Sequence, residues 1–206
     1  MNYEFAFLNV ILFWILTTPH EFAHAWVAEK LGDDTPRLEG RVTLNPLAHV
    51  DWVGTVILPI LTSLMGAGFL GWGRAVNTNP GKLRGGRNGL ALVALAGPAS
   101  NVIFAFLLAI VASALVRNNS ELAELAAMAM RLSLYLAIFN MIPVPPLDGS
   151  KLLLAIGIPD MIYMELARFG FLLVIVAMSF LGLGVWMSNW SLDATHFLLR
   201  LTGATS

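Results

Sequence analysis

The sequence predicts an all-α polytopic membrane protein with about four to five transmembrane helices, one re-entrant apolar segment and a short β element. Hydrophobic residues make up 57% of the 206 residues and charged residues only 12%, about half the charged share of a soluble domain. Apolar stretches long enough to cross a bilayer are Phe5–Leu31, Trp52–Gly73, Leu90–Val116, Leu122–Ile142 and Phe169–Leu192. We therefore expect a single membrane-embedded domain over residues 1–206, multi-pass in the cell membrane and in contact with the lipid bilayer.

Composition also excludes several kinds of chemistry. The chain has no cysteine, so disulfides and thiol nucleophiles are excluded, and metal ligands must come from His, Asp or Glu. The net charge of −1 indicates no nucleic-acid partner. The N-terminus has neither a basic region nor a small-residue cleavage site, so we expect the first apolar stretch to be retained rather than removed as a signal peptide.

The first apolar stretch contains the motif His20-Glu21-Phe22-Ala23-His24. On a helix, residues four apart share a face, so the two imidazoles can bind one cation. Glu21 can then act as general base on a metal-bound water, as in zinc hydrolases. Ionisable groups within membrane-length apolar segments are costly and usually functional; the alternative is a polar trio that only packs helices together. Pro19 is expected to kink the helix and give the motif its own half-helix.

The polar region Gly32–Asp51 is predicted to contain the β element. Apolar and polar residues alternate with period two from Leu38 to Leu44, which is typical of a strand. The exposed edge of such a strand could hold an unwound chain by β-addition. A surface hairpin without this role is an equally good interpretation.

Two later spans carry polar groups at membrane depth. Leu90–Val116 contains Asn101, which either joins helices through hydrogen bonds or lies near a site. Leu122–Ile142 runs into three prolines within four positions, which cannot continue a helix. Such broken backbone is tolerated only where protein or a cavity surrounds it. Asp148 is thus a carboxylate presented close to the membrane; an ordinary Asp-Gly turn is the alternative.

A catalytic zinc takes three protein ligands and leaves one position for water. His20 and His24 provide two of them. The third is His49, His196 or a carboxylate, and Asp148 is the best placed of these. His49 is interpreted as a neighbour of the metal ligands or a capping residue, and His196 as structural or exposed.

Three motifs occur in order along almost the whole chain: His20-Glu21-x-x-His24, Gly97-Pro98-x-x-Asn101 and Asn140-x-x-Pro143-x-Pro145-x-x-Asp148-Gly149. Together they resemble the site-2 protease family of intramembrane zinc metalloproteases. The resemblance implies that His20, His24 and Asp148 bind one Zn²⁺ per chain. It implies that Glu21 is the catalytic base, that Asn140 lies by the scissile carbonyl, and that Asn101 is a polar neighbour. It also implies transmembrane protein substrates, and a compact form without a PDZ or nucleotide-sensing domain.

The expected ligands constrain the path of Trp52–Gly73. His24 lies toward the C-terminal end of one span and Asp148 beyond the C-terminal end of another, so they meet most easily if this segment dips into the membrane and returns. Positive charge agrees with dipping. One side then holds Lys30, Arg37, Arg41, Arg74, Lys82, Arg84, Arg87 and Lys151, and the other only Arg117 and Arg200. We expect the first side, and the active site nearer to it, to be cytoplasmic.

The sequence therefore predicts an intramembrane zinc metalloendopeptidase that acts on transmembrane proteins in regulated intramembrane proteolysis. A metal-ion transporter is an alternative, because transporters also use broken helices and buried carboxylates. A non-catalytic membrane scaffold is a second one. The absence of internal repeats and of a second acidic cluster argues against the transporter. The intact Glu21 argues against the scaffold.

Overall fold

The structure, a computed structural model, describes residues 3–64 and 71–203. The described helices are α1 (Tyr3–Lys30), α2 (Thr35–Leu38), α3 (Leu58–Leu64), α4 (Arg87–Leu115), α5 (Ser120–Asn140), α6 (Gly149–Ala155), α7 (Asp160–Phe180) and α8 (Leu183–Leu201). A 3₁₀ turn at Pro46–His49 and a π-helical turn at Trp52–Ile57 lie between α2 and α3. The predicted helical class is confirmed, and among the described helices α4, α5 and α7 are long and apolar enough to cross a membrane.

Helix α4 forms the centre of the bundle and packs against α1, α5, α6 and α8. Its covered face repeats nearly every four residues and consists mostly of small side chains: Gly89, Val93, Gly97, Asn101, Ala105, Ala109 and Ala112. Small residues at this spacing let neighbouring helix backbones approach closely. Met130 and Leu134 of α5 fill the space beside Ala105 and Ala109.

Helix α1 continues through Pro19 as one helix, so the expected separate half-helix does not form. Proline removes only one backbone donor, and packing of α1 along α4 supports the helix on both sides of it. The hydroxyl of Ser100 on α4 lies 2.7 Å from the Gly97 carbonyl and 3.3 Å from the Pro19 carbonyl. The motif at residues 20–24 is thereby presented directly to α4.

The predicted strand at Leu38–Leu44 is wrong. Leu38 ends α2, a turn follows in which Gly40 has a φ of +68°, and none of residues 38–44 is in a strand. Arg41 is buried and donates to backbone carbonyls of other segments. The alternation of apolar and polar residues thus reflects one inward-facing polar side chain, not the two faces of a sheet.

The two ends of the apolar segment Trp52–Gly73 lie against each other. Its first part forms the π-helical turn and then α3, and residues 65–70 lie outside the described part of the chain. On return, the Trp72 N–H donates to the Gly54 carbonyl at 3.0 Å, and the Thr55 hydroxyl donates to the Trp72 carbonyl at 3.0 Å. These hydrogen bonds place residues 54–55 and Trp72 side by side, which the dipping expectation requires.

The expected single span Phe169–Leu192 is also wrong. Two helices, α7 and α8, meet at Leu181 and Gly182, and Gly182 has a φ of +71°, a conformation that glycine adopts without strain. Residues 192–201 continue α8 and pack on α4 and α5. Hydropathy alone does not reveal a turn at a single glycine inside an apolar stretch.

The cation-rich loops gather at one end of the bundle. They are joined by ion pairs, Lys82 with Asp34 at 2.6 Å and Arg87 with Asp160 at 2.9 Å. At the other end of α4, the Ser113 hydroxyl donates to the Thr202 hydroxyl at 2.6 Å, which brings the ends that carry Arg117 and Arg200 together. This arrangement matches the charge division expected for a dipping segment.

Single cysteines test this topology, because the chain has none of its own. We expect Asn118→Cys to react with a membrane-impermeant maleimide added to intact cells, and Thr35→Cys and Thr78→Cys to react only after the cells are permeabilised. The reason is that residues 32–51 and 71–87 share a side when Trp52–Gly73 returns. Labelling of Thr35→Cys and Thr78→Cys from opposite sides would show that the segment crosses the membrane.

Candidate metal centre

Helices α1 and α6 bring three potential ligands together in the bundle. His20 and His24 lie one turn apart on α1 with their Nε2 atoms 3.1 Å from each other. Asp148 follows the proline-rich loop after α5, and its Oδ2 lies 3.1 Å from His20 Nε2 and 3.0 Å from His24 Nε2. All three residues are buried, and within residues 3–64 and 71–203 they are the only His, Asp or Glu group that could hold a metal ion.

Hydrogen bonds on the far side of each imidazole orient the rings. His24 Nδ1 lies 2.7 Å from the Val93 carbonyl of α4. Since a carbonyl only accepts, Nδ1 carries the proton and Nε2 of the neutral ring presents a lone pair. His20 Nδ1 lies 3.2 Å from the Asn101 side-chain amide.

The Asn101 amide has one buried oxygen, Oδ1, without a hydrogen-bond partner in the described structure. Turned over, the amide would give this oxygen the Nδ1–H of His20 as its donor. His20 would then present an Nε2 lone pair, as His24 does. This is the tautomer that metal-binding imidazoles require, with the outer N–H held by a carbonyl or an amide oxygen.

The converging atoms fit a zinc ion. Two imidazole lone pairs and a carboxylate oxygen within 3.1 Å of one another repel unless a cation lies between them. In a tetrahedral site with bonds of about 2.0–2.2 Å, ligand atoms are roughly 3.3 Å apart, close to the separations found here. Two His and one carboxylate also leave a fourth position open, as in catalytic zinc sites.

Gly97 makes the close approach of α4 to the ligands possible. A Cβ atom at this position would lie 2.3 Å from His24 Nε2 and 2.6 Å from the His20 ring. No side chain larger than hydrogen can therefore occupy the position without displacing both imidazoles. Two features of the Gly97-Pro98-x-x-Asn101 motif therefore serve the site. Gly97 allows the helix to approach both imidazole rings, and Asn101 places its amide beside His20.

Lys151, which the sequence analysis missed, holds the other oxygen of Asp148. Its Nζ donates to Oδ1 at 3.0 Å, which leaves Oδ2 directed at the two histidines. The only sequence signal is a cation three residues after Asp148, and it gains meaning once that stretch is known to begin a helix.

A cavity of about 480 Å³ opens beside the ligands. Its polar lining includes Glu21 and Asn140, and its apolar lining includes Phe13, Trp72, Leu136, Phe139, Phe171 and Val174. Glu21 lies against the backbone of Gly73, where a Cβ would be 3.1 Å from the carboxylate. The cavity is large enough for part of a peptide chain and predominantly apolar, as expected for a ligand site.

Comparison with known proteins places the chain in a family. A model described as peptidase family M50 matches residues 113–176. YwhC of Bacillus subtilis, provisionally named a zinc metalloprotease, is 38% identical over 152 residues, which cover 70% of this chain and 66% of YwhC. The Rip2 proteins of Mycolicibacterium smegmatis and Mycobacterium tuberculosis H37Rv, provisionally named in the same way, are 28% and 29% identical over this whole chain and 78% of their own length.

The chain belongs to peptidase family M50. The resemblance to the site-2 proteases is thereby confirmed, and the family and the names of the relatives indicate a zinc metalloprotease in a membrane. The aligned region spans just under two thirds of YwhC. No solved structure matches the chain.

In this M50 peptidase the remaining histidines lie away from the three potential ligands. His49 is buried, and its Nε2–H donates to the Thr43 carbonyl at 2.8 Å while its own carbonyl accepts from the Arg74 N–H. Burial lowers the pKa of His49, so it is neutral at pH 7. His196 is exposed on α8. His49 thus connects two loops, and neither residue lines the cavity.

Gly97→Ala tests the contact between α4 and the ligands. The added methyl group must displace His20 and His24, so we expect zinc affinity to fall by roughly tenfold or more, the range seen when ligand-orienting contacts are lost. Competition with a chelator of known affinity measures the change. Gly184→Ala is the control, since its Cβ would meet the flexible Met178 side chain at 3.3 Å. Unchanged affinity in Gly97→Ala would contradict the packing described here.

Asn101→Leu tests the orientation of His20. The substitution keeps the branching of the side chain but removes the acceptor for Nδ1–H, so we expect zinc affinity to fall about 10- to 100-fold. The same chelator competition applies. Ser133→Ala serves as control, because the Ser133 hydroxyl donates to the backbone carbonyl of Asn101, at 2.8 Å, and not to its side-chain amide. Equal affinity in the two variants would remove Asn101 from the support of the ligand.

Proposed function

We propose that this protein is an intramembrane zinc metalloendopeptidase that hydrolyses a peptide bond within or near the transmembrane segment of a membrane protein. The observation that carries the proposal is the convergence of His20, His24 and Asp148 in an apolar, helix-lined cavity that also holds Glu21. Buried ionisable groups in such surroundings are costly and indicate function.

Under this proposal His20, His24 and Asp148 hold one Zn²⁺, which supplies Lewis-acid chemistry for water and for the scissile carbonyl. Glu21 is the general base. It accepts a proton from the attacking water and passes it to the leaving amine. Its position against Gly73 keeps the carboxylate at the cavity wall, next to the two histidine ligands.

Asn140 is proposed to stabilise the developing oxyanion. Its Nδ2 donates one N–H to the Leu136 carbonyl at 3.0 Å, which anchors the amide at the end of α5. The second N–H remains for a ligand in the cavity that Asn140 lines. Such a preorganised donor acts where charge develops in the transition state.

The extended segment 71–76 is the proposed surface for the unwound substrate, in place of the strand expected at residues 38–44. The backbone N–H groups of Trp72 and Arg74 donate to Gly54 and His49 carbonyls. Those of Gly73 and Ala75, which line the cavity, have no backbone partner in the part of the chain described. A peptide bound there can add main-chain hydrogen bonds to these groups.

The site is proposed to open toward the cytoplasmic side of the cell membrane. The loops beside the metal centre, residues 32–51 and 71–87, carry six of the twelve Lys and Arg residues, and loops rich in cations remain in the cytoplasm. Their polar residues provide a path for water to a cavity that is otherwise enclosed by apolar helices.

The transporter alternative has less support. A transport pathway needs successive polar sites along the bundle, whereas the described residues contain one metal-ligand group, closed on one side by α4. The scaffold alternative leaves the position of Glu21 beside the ligands without a use.

Glu21→Gln tests the chemistry. We expect cleavage of a model transmembrane peptide by the purified protein in detergent to fall by about 10²- to 10⁴-fold, because the isosteric amide cannot accept the proton. Zinc content should match that of the wild type. Glu29→Gln, on the same helix but in an ion pair with Arg37 at the surface, is the control and should cleave normally.

Chelation separates the candidate functions in the same assay. Removal of zinc should abolish cleavage by the wild type, and restored zinc should recover it. Cleavage that survives chelation would contradict the metal mechanism, and peptide binding without cleavage would favour the scaffold.

A further inference from the structure

Arg41 is a buried cation that lies between two loops. Its residue surface is 3% exposed, and no Asp or Glu of the described residues lies within ion-pair distance of its guanidinium. An arginine side chain stays protonated in proteins, so its charge is buried together with it. Burying a charge is costly unless hydrogen bonds compensate it.

Backbone carbonyls provide that compensation. The Nη1 group donates to the Ala48 carbonyl, and the Nη2 group donates to the carbonyls of Arg74 and, at 3.0 Å, Ala75. These acceptors belong to two loops that are far apart in sequence. The planar fork of a guanidinium suits this task, because its donors diverge at fixed angles.

One of the two loops is the extended segment 71–76 that forms a wall of the cavity. Arg41 donates hydrogen bonds to the carbonyls of Arg74 and Ala75, and the backbone carbonyl of His49 accepts one from the Arg74 N–H. These contacts leave the Gly73 N–H and carbonyl and the Ala75 N–H without backbone partners in the described residues. Gly73 also lies against Glu21, so any shift of the segment changes the distance between a bound peptide and the general base.

We propose that Arg41 is a positioning residue that fixes the extended segment 71–76 in register with Glu21 and so determines how tightly a peptide substrate binds. Arg41 contacts neither substrate nor metal ligands in this role. The inference rests on the proposed function, because it assigns the segment to the peptide. It concerns binding of the substrate, and the chemical step stays with Glu21 and the metal centre.

Kinetics of two variants test the inference. Arg41→Met keeps the unbranched apolar stem of the side chain but removes every donor. Arg41→Lys keeps the charge but replaces the fork with a compact ammonium that cannot hold both loops in the same way. With a model transmembrane peptide in detergent, we expect KM to rise about tenfold in Arg41→Met, as for the loss of about one charge-assisted hydrogen bond, and to rise less in Arg41→Lys.

Zinc content should stay close to the wild type in both variants, and KM should change more than kcat. The matched control is Arg37→Met, four residues earlier, because Arg37 is an exposed partner of Glu29 and its loss should leave KM unchanged. Wild-type KM in Arg41→Lys and Arg41→Met would overturn the inference. Joint loss of zinc and kcat would also overturn it, since Arg41 would then only support the fold.

A second measurement does not depend on cleavage. Val76 is buried, 8% exposed, so Val76→Cys should react slowly with a maleimide. We expect Arg41→Met and Arg41→Lys to accelerate that reaction and Arg37→Met to leave it unchanged. If the wild type fails to cut the peptide, the proposed function fails, while this labelling still decides whether Arg41 holds the segment. Equal labelling rates in all variants would show that it does not.

Discussion

The structure depends on three electron-rich atoms that meet inside an apolar bundle. Two imidazole nitrogens and a carboxylate oxygen lie within 3.1 Å of one another, in surroundings where unpaired polar groups are strongly disfavoured. A cation bound between the three atoms removes their mutual repulsion, so the same burial that destabilises the empty site favours metal binding. The outer hydrogen bonds to Val93, Asn101 and Lys151 fix the orientation of these three potential ligands.

The shape of the bundle follows from this requirement. Helix α4 must come close enough for its backbone and its amide side chain to reach both histidines, and the small residues along its covered face allow that approach. Gly97 is the extreme case, because even a methyl group would overlap the rings. The proline-rich loop after α5 also shapes the site. It ends the helix before Asp148, so that this side chain points into the bundle.

The returning segment supplies the cavity wall, and its support is polar, not apolar. Its ends are joined by hydrogen bonds between residues 54–55 and Trp72, and Arg41 and His49 hold the stretch that follows. Polar supports of this kind fix backbone register, whereas apolar packing alone would let the segment slide. This register decides which backbone groups face the cavity and how near they lie to Glu21.

Local chemistry could be predicted from the sequence, because spacing on a helix and the three motifs bring His20, His24, Glu21 and Asp148 into one hypothesis before any coordinates exist. The same reasoning failed at residues 38–44 and at residues 169–192, since neither a buried arginine nor a glycine turn changes a hydrophobic pattern. Lys151 was missed because its pairing with Asp148 gains meaning only once that stretch is known to begin a helix. Arg41 was missed because its partners are backbone carbonyls, which carry no sequence signal. The sequence by itself thus determined the helical membrane class and the ligand types. Only the tertiary structure decided which backbone groups form hydrogen bonds with these side chains, because backbone carbonyls and amides are the same at every residue and leave no mark in the sequence.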